Sequence, residues 1–223
     1  MRKFIVGAIL ALFSVSAFAQ TADELWNDLM AGNQLFVEGQ VVYGSLRSAR
    51  AMWATGQNPP VSILSCADSR VPAEIVFQRT VGELFVVRTA GNVEDEFNVA
   101  SLEYAAGVEK WTKLIVVMGH SECGAIKAAL NNWKPGEPTP SLYSLIVRLR
   151  NAFTPPIDPK DNLRARTIEN ICYTAMQLRH WSPTLKDVPI KTAYYDVASG
   201  VVTGVPCGGT QKPTSFCRLT PEK

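Results

Sequence analysis

The chain is predicted to fold as an α/β domain, a mainly parallel central β-sheet flanked by helices, with an N-terminal helical arm and a late strand and hairpin. Two observations carry this prediction. Three short apolar runs, VSIL at 61–64, LFVV at 84–87 and LIVVM at 114–118, are rich in Val and Ile and lack polar alternation, as strands covered on both faces do. Helical material separates them, and strand, helix, strand in repetition implies parallel pairing through right-handed crossovers.

The first nineteen residues, MRKFIVGAILALFSVSAFA, stand apart from that fold. Arg2 and Lys3 precede an apolar run of roughly ten residues and an A-x-A cleavage site, Ala17 to Ala19, which is the pattern of a secretory leader. The run is short of the roughly 20 residues that span a bilayer. Residues 1–19 are therefore expected to be removed on export, leaving residues 20–205 as a single domain and 206–223 as a tail. The product is expected in the periplasm or secreted, with no membrane contact after cleavage.

From Ala22 to Val37 apolar residues fall three and four apart, one helical stripe that must be buried on something. A second helix is expected from Leu46 to Ala54, ended by GQNPP, whose prolines deny further helix. The three strands follow. Ala125 to Asn131 opens a helix directly after the third, and WKPGEPTP is a turn-rich connector. Helices are then expected from Ser141 to Phe153 and from Asp161 to Arg179, broken by FTPPIDP, and TAYYDVASGVVTGV alternates around Ser199 and Gly200 as a strand and hairpin do.

Charge narrows the function. The full chain carries 22 Lys and Arg against 20 Asp and Glu, and the leader holds two of those cations, so the remainder is formally neutral. No cluster of Lys and Arg marks a nucleic-acid footprint, and no nucleic-acid partner is expected. About 200 residues suffice for one domain with an ample core.

Five cysteines in an exported chain point to two chemistries. Cys207 and Cys217 bracket a Gly/Pro/Thr-rich tail, either bridged to tie it down or left as two unpaired thiols. Cys172 falls in a helical pattern and reads as a core residue. Cys66 and Cys123 each follow a strand-like run, in SCADSR and GHSECG.

Strand ends of a parallel sheet converge on one crevice, so Cys66, His120 and Cys123 are placed to meet there. Two thiolates and an imidazole form a soft set that favours zinc, and three protein ligands leave a fourth position for water. Asp68 is a conditional fourth ligand: the site is closed with Asp68 bound or open with water bound. Arg70 lies two residues on, on the same side of an extended segment, and supplies a bidentate partner that draws the carboxylate off the metal. His180, at a polar helix end, reads as an ordinary surface histidine.

CADSR and HSEC, at this separation, resemble the zinc-binding signatures of the β-class carbonic anhydrases. FVVRTAGN at 85–92, ASLEYA at 100–105 and the late YYDVASGVV segment extend the resemblance over nearly the whole chain outside the leader and tail. It implies one zinc per subunit on Cys66, His120 and Cys123, with Asp68 and Arg70 as the catalytic dyad governing the fourth position. It implies reversible hydration of carbon dioxide to bicarbonate and a proton by zinc-bound hydroxide. Gln57 matches the family glutamine that donates to bicarbonate, and Phe85, Ala90 and Tyr104 match positions lining the apolar pocket mouth. It also implies a homodimer or higher homo-oligomer, with the N-terminal helix reaching across a partner. A subgroup carries tryptophan three residues before the first zinc cysteine as part of an inhibitory bicarbonate site; Ile63 stands there, so no such regulation is expected. The alternatives are a carbon disulfide or carbonyl sulfide hydrolase of the same family and a non-catalytic closed zinc-binding protein.

Overall fold

The computed structural model describes residues 20–42, 44–131 and 139–208. Its first helix, α1 (Ala22–Val37), begins at a capping box in which Thr21 accepts from the Glu24 amide and Glu24 reaches back to the Thr21 amide. A short α2 (Leu46–Met52) follows, two residues shorter than expected. The three predicted strands are β1 (Val61–Ser65), β2 (Leu84–Arg88) and β3 (Leu114–His120). Beyond them, β4 (Ile190–Tyr195) and β5 (Val202–Gly204) complete a sheet of order β2-β1-β3-β4-β5. Every pairing is parallel except β4 with β5, which is the predicted hairpin.

Among the described residues, five α-helices lie between the strands: α3 (Ala73–Val76), α4 (Glu96–Glu103), α5 (Gly124–Leu130), α6 (Pro140–Asn151) and α7 (Leu163–Trp181). α4, which no periodicity in the sequence marked, is capped by Asp95 and runs into a π-helical turn at Tyr104–Val108.

The strict two-residue alternation of β1 and β3 divides the core between the faces of the sheet. Ile63, Val116 and Met118 point with Val61 toward α1 and α3, where Leu25, Leu29, Val76 and Phe77 meet them. Leu64, Ile115 and Val117 point the other way, onto Leu102 of α4 and Ile171, Ala175 and Leu178 of α7. Both faces are covered, which is why these strands read as unbroken apolar runs.

α1 spends its apolar stripe on its own domain. Leu25 and Leu29 are buried against the sheet, roughly 2 kcal/mol each by area. The buried Asn33 donates to the Val76 and Gly200 carbonyls and accepts from the Val202 amide, stitching the helix to α3 and to the β4–β5 turn. The buried residues of this stripe are used within the chain.

The cysteine pairing also differs from the reading of the sequence. Cys207 is bonded to Cys172, 35 residues earlier, rather than to Cys217, which lies outside the described residues with the rest of 209–223. The reason is the hairpin. After β5 the chain runs back along β4, where the Val205 amide and carbonyl both bond Thr192, and this carries Cys207 to the flank of α7. Cys172 is thus a bridging residue, not merely a core one.

Candidate metal centre

β1 and β3 end side by side, and the residues that follow each strand turn toward the same crevice at the C-terminal edge of the sheet. Beyond β1 the ladder to β2 continues for one more step, Thr89 N–H to Ser65 O and Ala67 N–H to Thr89 O, which fixes the backbone around Cys66. Arg88, at the end of β2, braces the same loop: its Nε donates to the Cys66 carbonyl at 3.0 Å and its Nη2 to the Asp68 carbonyl at 2.6 Å. The Cys66 sulfur accepts from the amides of Gly91 at 3.2 Å and Asp68 at 3.4 Å.

Gly91 sits at φ +71° in a tight turn, Ala90–Asn92, a conformation that glycine adopts at little cost. A Cβ there would meet Leu149 Cδ2 at 2.8 Å and Ala125 Cβ at 3.3 Å, so the turn is wedged between α6 and the start of α5.

His120 is the last residue of β3 and is fully buried. Its Nδ1 lies 2.8 Å from the Ser121 carbonyl, which can only accept, so Nδ1 carries the proton and Nε2 the lone pair. That Nε2 is buried and has no hydrogen-bond partner. Glu122 then turns the chain at φ +56°, and Cys123 becomes the residue before α5.

The donor atoms of Cys66, His120 and Cys123 all lie within 4.8 Å of one another, and all three residues are buried. The Cys66 thiol is pushed down to about 4, chiefly by a hydrogen bond from Cys123 and further by the Gly91 and Asp68 amides, against the opposing effect of burial. Cys123 is pushed up, by its neighbour's sulfur and by burial. The two neighbouring sulfurs thus push each other's titration apart, and a dication would relieve this by taking both as thiolates. An orphaned imidazole nitrogen aimed at two buried sulfurs fits a soft divalent metal such as zinc, and hydrogen-bond geometry among protein groups alone does not explain it.

Asp68 stands beside this trio, its Oδ2 3.9 Å from His120 Nε2. Arg70 holds the carboxylate from the other side: Nε and the backbone amide donate to Oδ1, each at 2.9 Å, and Nη2 donates to Oδ2 at 2.7 Å. These bonds keep the Asp68 carboxyl well below the usual range. Nη2 also donates to the Glu122 carbonyl at 3.3 Å, so Arg70 ties the Cys66 loop to the His120–Cys123 loop.

Of the expected site residues, the structure brings together Cys66, Asp68, Arg70, His120 and Cys123, with Ala90 in the adjoining turn. Gln57, Phe85 and Tyr104 lie elsewhere. Gln57 is exposed in the loop before β1, and Phe85 is opposite Ser62 near the start of the sheet. Tyr104 packs edge-to-face on Trp111 just before β3, and its neighbour Thr112 shares a 2.6 Å hydrogen bond with Ser62. All three stand at the N-terminal edge, separated from Cys66 by the length of β1, about 13 Å from Ser62 onward. His180, exposed at the end of α7, is at that far edge too.

Residues that the motifs did not single out also shape the centre. Arg88 and Gly91 lie within the FVVRTAGN stretch, where an arginine at a strand end and a glycine in a turn were the available signals. Asn170 and Thr174 of α7 bond the Gly91 and Asn92 carbonyls. Their signal was faint: polar residues interleaved with the apolar stripe of a long helix.

Comparison with known proteins converges on one family. A family model described as carbonic anhydrase matches residues 61–202. Carbonic anhydrase 2 of Mycobacterium tuberculosis is 49% identical over 106 residues, 47% of this chain and 51% of that protein. A carbonic anhydrase of Mycolicibacterium smegmatis is 46% identical over 113 residues, 50% and 54% of the two chains. The matched region is about half the length of these curated relatives. Among solved structures, the β-carbonic anhydrase CcaA aligns with TM-score 0.60 at 27% identity over 81% of this chain and 94% of that one. The β-carbonic anhydrase CafA of Aspergillus fumigatus shares the fold, with TM-score 0.63 at 20% identity over 84% and 91%.

Proposed function

We propose, because this chain belongs to the β-carbonic anhydrase family, that it interconverts carbon dioxide and bicarbonate with one zinc ion per subunit. The observation that carries the reading is the orphaned His120 Nε2 beside the buried Cys66 and Cys123 sulfurs, inside the region of the family match. When bound there, zinc acts as a Lewis acid that makes water ionisable near neutral pH.

The chain's own groups do the rest. Asp68, kept ionised by Arg70, can only accept hydrogen bonds, so an oxygen beside it must present a proton to it. That requirement orients the lone pair of a nucleophilic oxygen away from Asp68, toward substrate. Arg70 occupies both carboxylate oxygens, which restrains Asp68 from becoming a ligand and keeps the fourth position for the reaction. The buried apolar surroundings of the trio, Val93, Ile126 and Leu149, suit an uncharged, linear substrate.

We further propose that a second copy completes the pocket. Gln57, Phe85 and Tyr104 cannot reach the metal site of their own chain, and a partner subunit is the source that could bring their counterparts to it. An exposed apolar stripe supports this: Phe97, Tyr104 and Val108, at helical spacing on α4 and its π-helical extension, are 79%, 44% and 71% exposed. Solved neighbours of the same fold include tetrameric β-carbonic anhydrases of Sordaria macrospora. Export to the periplasm or beyond completes the proposal, and the Cys172–Cys207 disulfide supports it, since such bonds persist in oxidising compartments.

The deciding experiment is stopped-flow hydration of carbon dioxide by the purified chain, with metal analysis and with zinc removed by chelation. Zinc near one per chain and chelator-sensitive hydration are expected. A zinc-loaded chain without hydration activity would overturn the assignment.

A further inference from the structure

We infer that Asn170 of α7 is a positioning residue for the metal centre, holding through Gly91 the amide that hydrogen-bonds to the Cys66 sulfur. The inference rests on the zinc site proposed above. Asn170 is buried, and its Nδ2 donates to the Gly91 carbonyl at 2.8 Å across 79 residues of sequence. Gly91 in turn donates its N–H to the Cys66 sulfur at 3.2 Å. The two bonds sit on either side of one Cα, so an anchored Gly91 carbonyl fixes ψ and restrains the direction of the neighbouring N–H.

Glycine makes this anchor necessary. With no Cβ, residue 91 has a broad range of backbone angles open to it, and the turn itself contributes a single bond, Asn92 N–H to Thr89 O at 2.9 Å. One helical turn along α7, on the same face, Thr174 lies 3.3 Å from the Asn92 carbonyl and 3.2 Å from a carboxylate oxygen of the buried Glu94. Arg148 of α6 donates to the Glu94 carbonyl at 2.6 Å. α7 thus grips two consecutive residues of the turn while α6 holds Glu94 just beyond it, and Asn170 grips the one whose amide faces the sulfur.

An N–H···S bond draws electron density from a thiolate and lessens what the sulfur gives a metal. Losing it changes the metal's electronic environment, not merely the fold. Partners of metal ligands at this remove typically alter metal affinity 10–100-fold when lost. Asn170→Leu keeps the volume and deletes the donor.

The test uses the purified full chain loaded with zinc or with Co(II). Asn170→Leu is expected to raise the zinc dissociation constant about 10–100-fold in competition with a chromophoric chelator, because the sulfur is no longer held in place and, as a more basic thiolate, is contested by protons, which together outweigh its stronger donation. It is also expected to move the sulfur-to-cobalt charge-transfer band to longer wavelength, because Cys66 becomes the stronger donor. Thr167→Val, on the same helix but bonded only to the Leu163 carbonyl, should move neither. Folded Asn170→Leu protein with parental zinc affinity and an unmoved band overturns the inference. Should that variant not fold, Thr174→Val decides, with the same directions at smaller size. A parent that binds both metals but does not hydrate carbon dioxide would overturn the activity and leave this inference standing.

Discussion

Breaking the Cys172–Cys207 bond should cost this protein a large share of its stability. A cross-link acts mainly by removing conformations from the unfolded chain, and here it closes a loop of 35 residues. The chain-entropy relation gives about 13 cal/mol/K for a loop of that size, or about 4 kcal/mol at 25 °C. Domains are stable by only about 5–15 kcal/mol, so the loss is substantial. With a urea slope of about 2–3 kcal/mol per M, the midpoint of Cys172→Ser/Cys207→Ser should fall by about 1.3–2 M. Urea titrations of the parent and the double variant, followed by tryptophan fluorescence, measure this, and Cys217→Ser should match the parent. A midpoint shift below about 0.3 M, or peptide mapping that links Cys207 to Cys217, would refute the reasoning.

Five further outcomes follow from the site. Arg70→Ala should retain zinc but lose about 100-fold in hydration rate, because Asp68 loses its orientation; full activity in the stopped-flow assay would contradict the gate. Arg70 lowers the folded-state pKa of Asp68, so the stability it adds is complete above about pH 4–5 and is lost as pH falls through the folded pKa. The parent–variant difference in urea midpoint should therefore be flat near neutral pH and shrink only in acid. Cys66→Ser should lose the metal itself, seen as zinc well below one per chain. Arg88→Lys keeps the charge but cannot span the Cys66 and Asp68 carbonyls, and should weaken zinc binding about tenfold in chelator competition; parental affinity would show the brace to be redundant. With Ile63 in place of tryptophan, bicarbonate should inhibit without cooperativity in steady-state kinetics.

The strands and the candidate metal ligands were legible because each is written locally. VSIL and LIVVM are apolar without alternation since both faces of β1 and β3 are covered, and each run is followed at once by its ligand motif. The rest depends on distance along the chain. Cys172 meets Cys207 only because β5 folds back along β4, and nothing near either cysteine encodes that return. Asn170 looks like any polar residue on a long helix until α7 is laid against the turn at Gly91. α4 escaped notice because its short sequence, EFNVASLE, puts Phe97 into solvent and so has no clean apolar stripe. The family motifs named Gln57, Phe85 and Tyr104 as neighbours of the metal, while the length of β1 sets them at the opposite edge of their own sheet.

Asn170 and Cys172 are two residues apart on α7, which turns their side chains about 200° from one another around the helix axis. One flank is clasped to the turn at Gly91 and the other is bonded covalently to the segment that follows the last strand. The helix is therefore pinned at a single level from opposite sides, like a beam through one bolt. A slide of one residue, about 1.5 Å, would break the register of both attachments together. Oxidation in the last part of the chain and order around the metal share that one point of support.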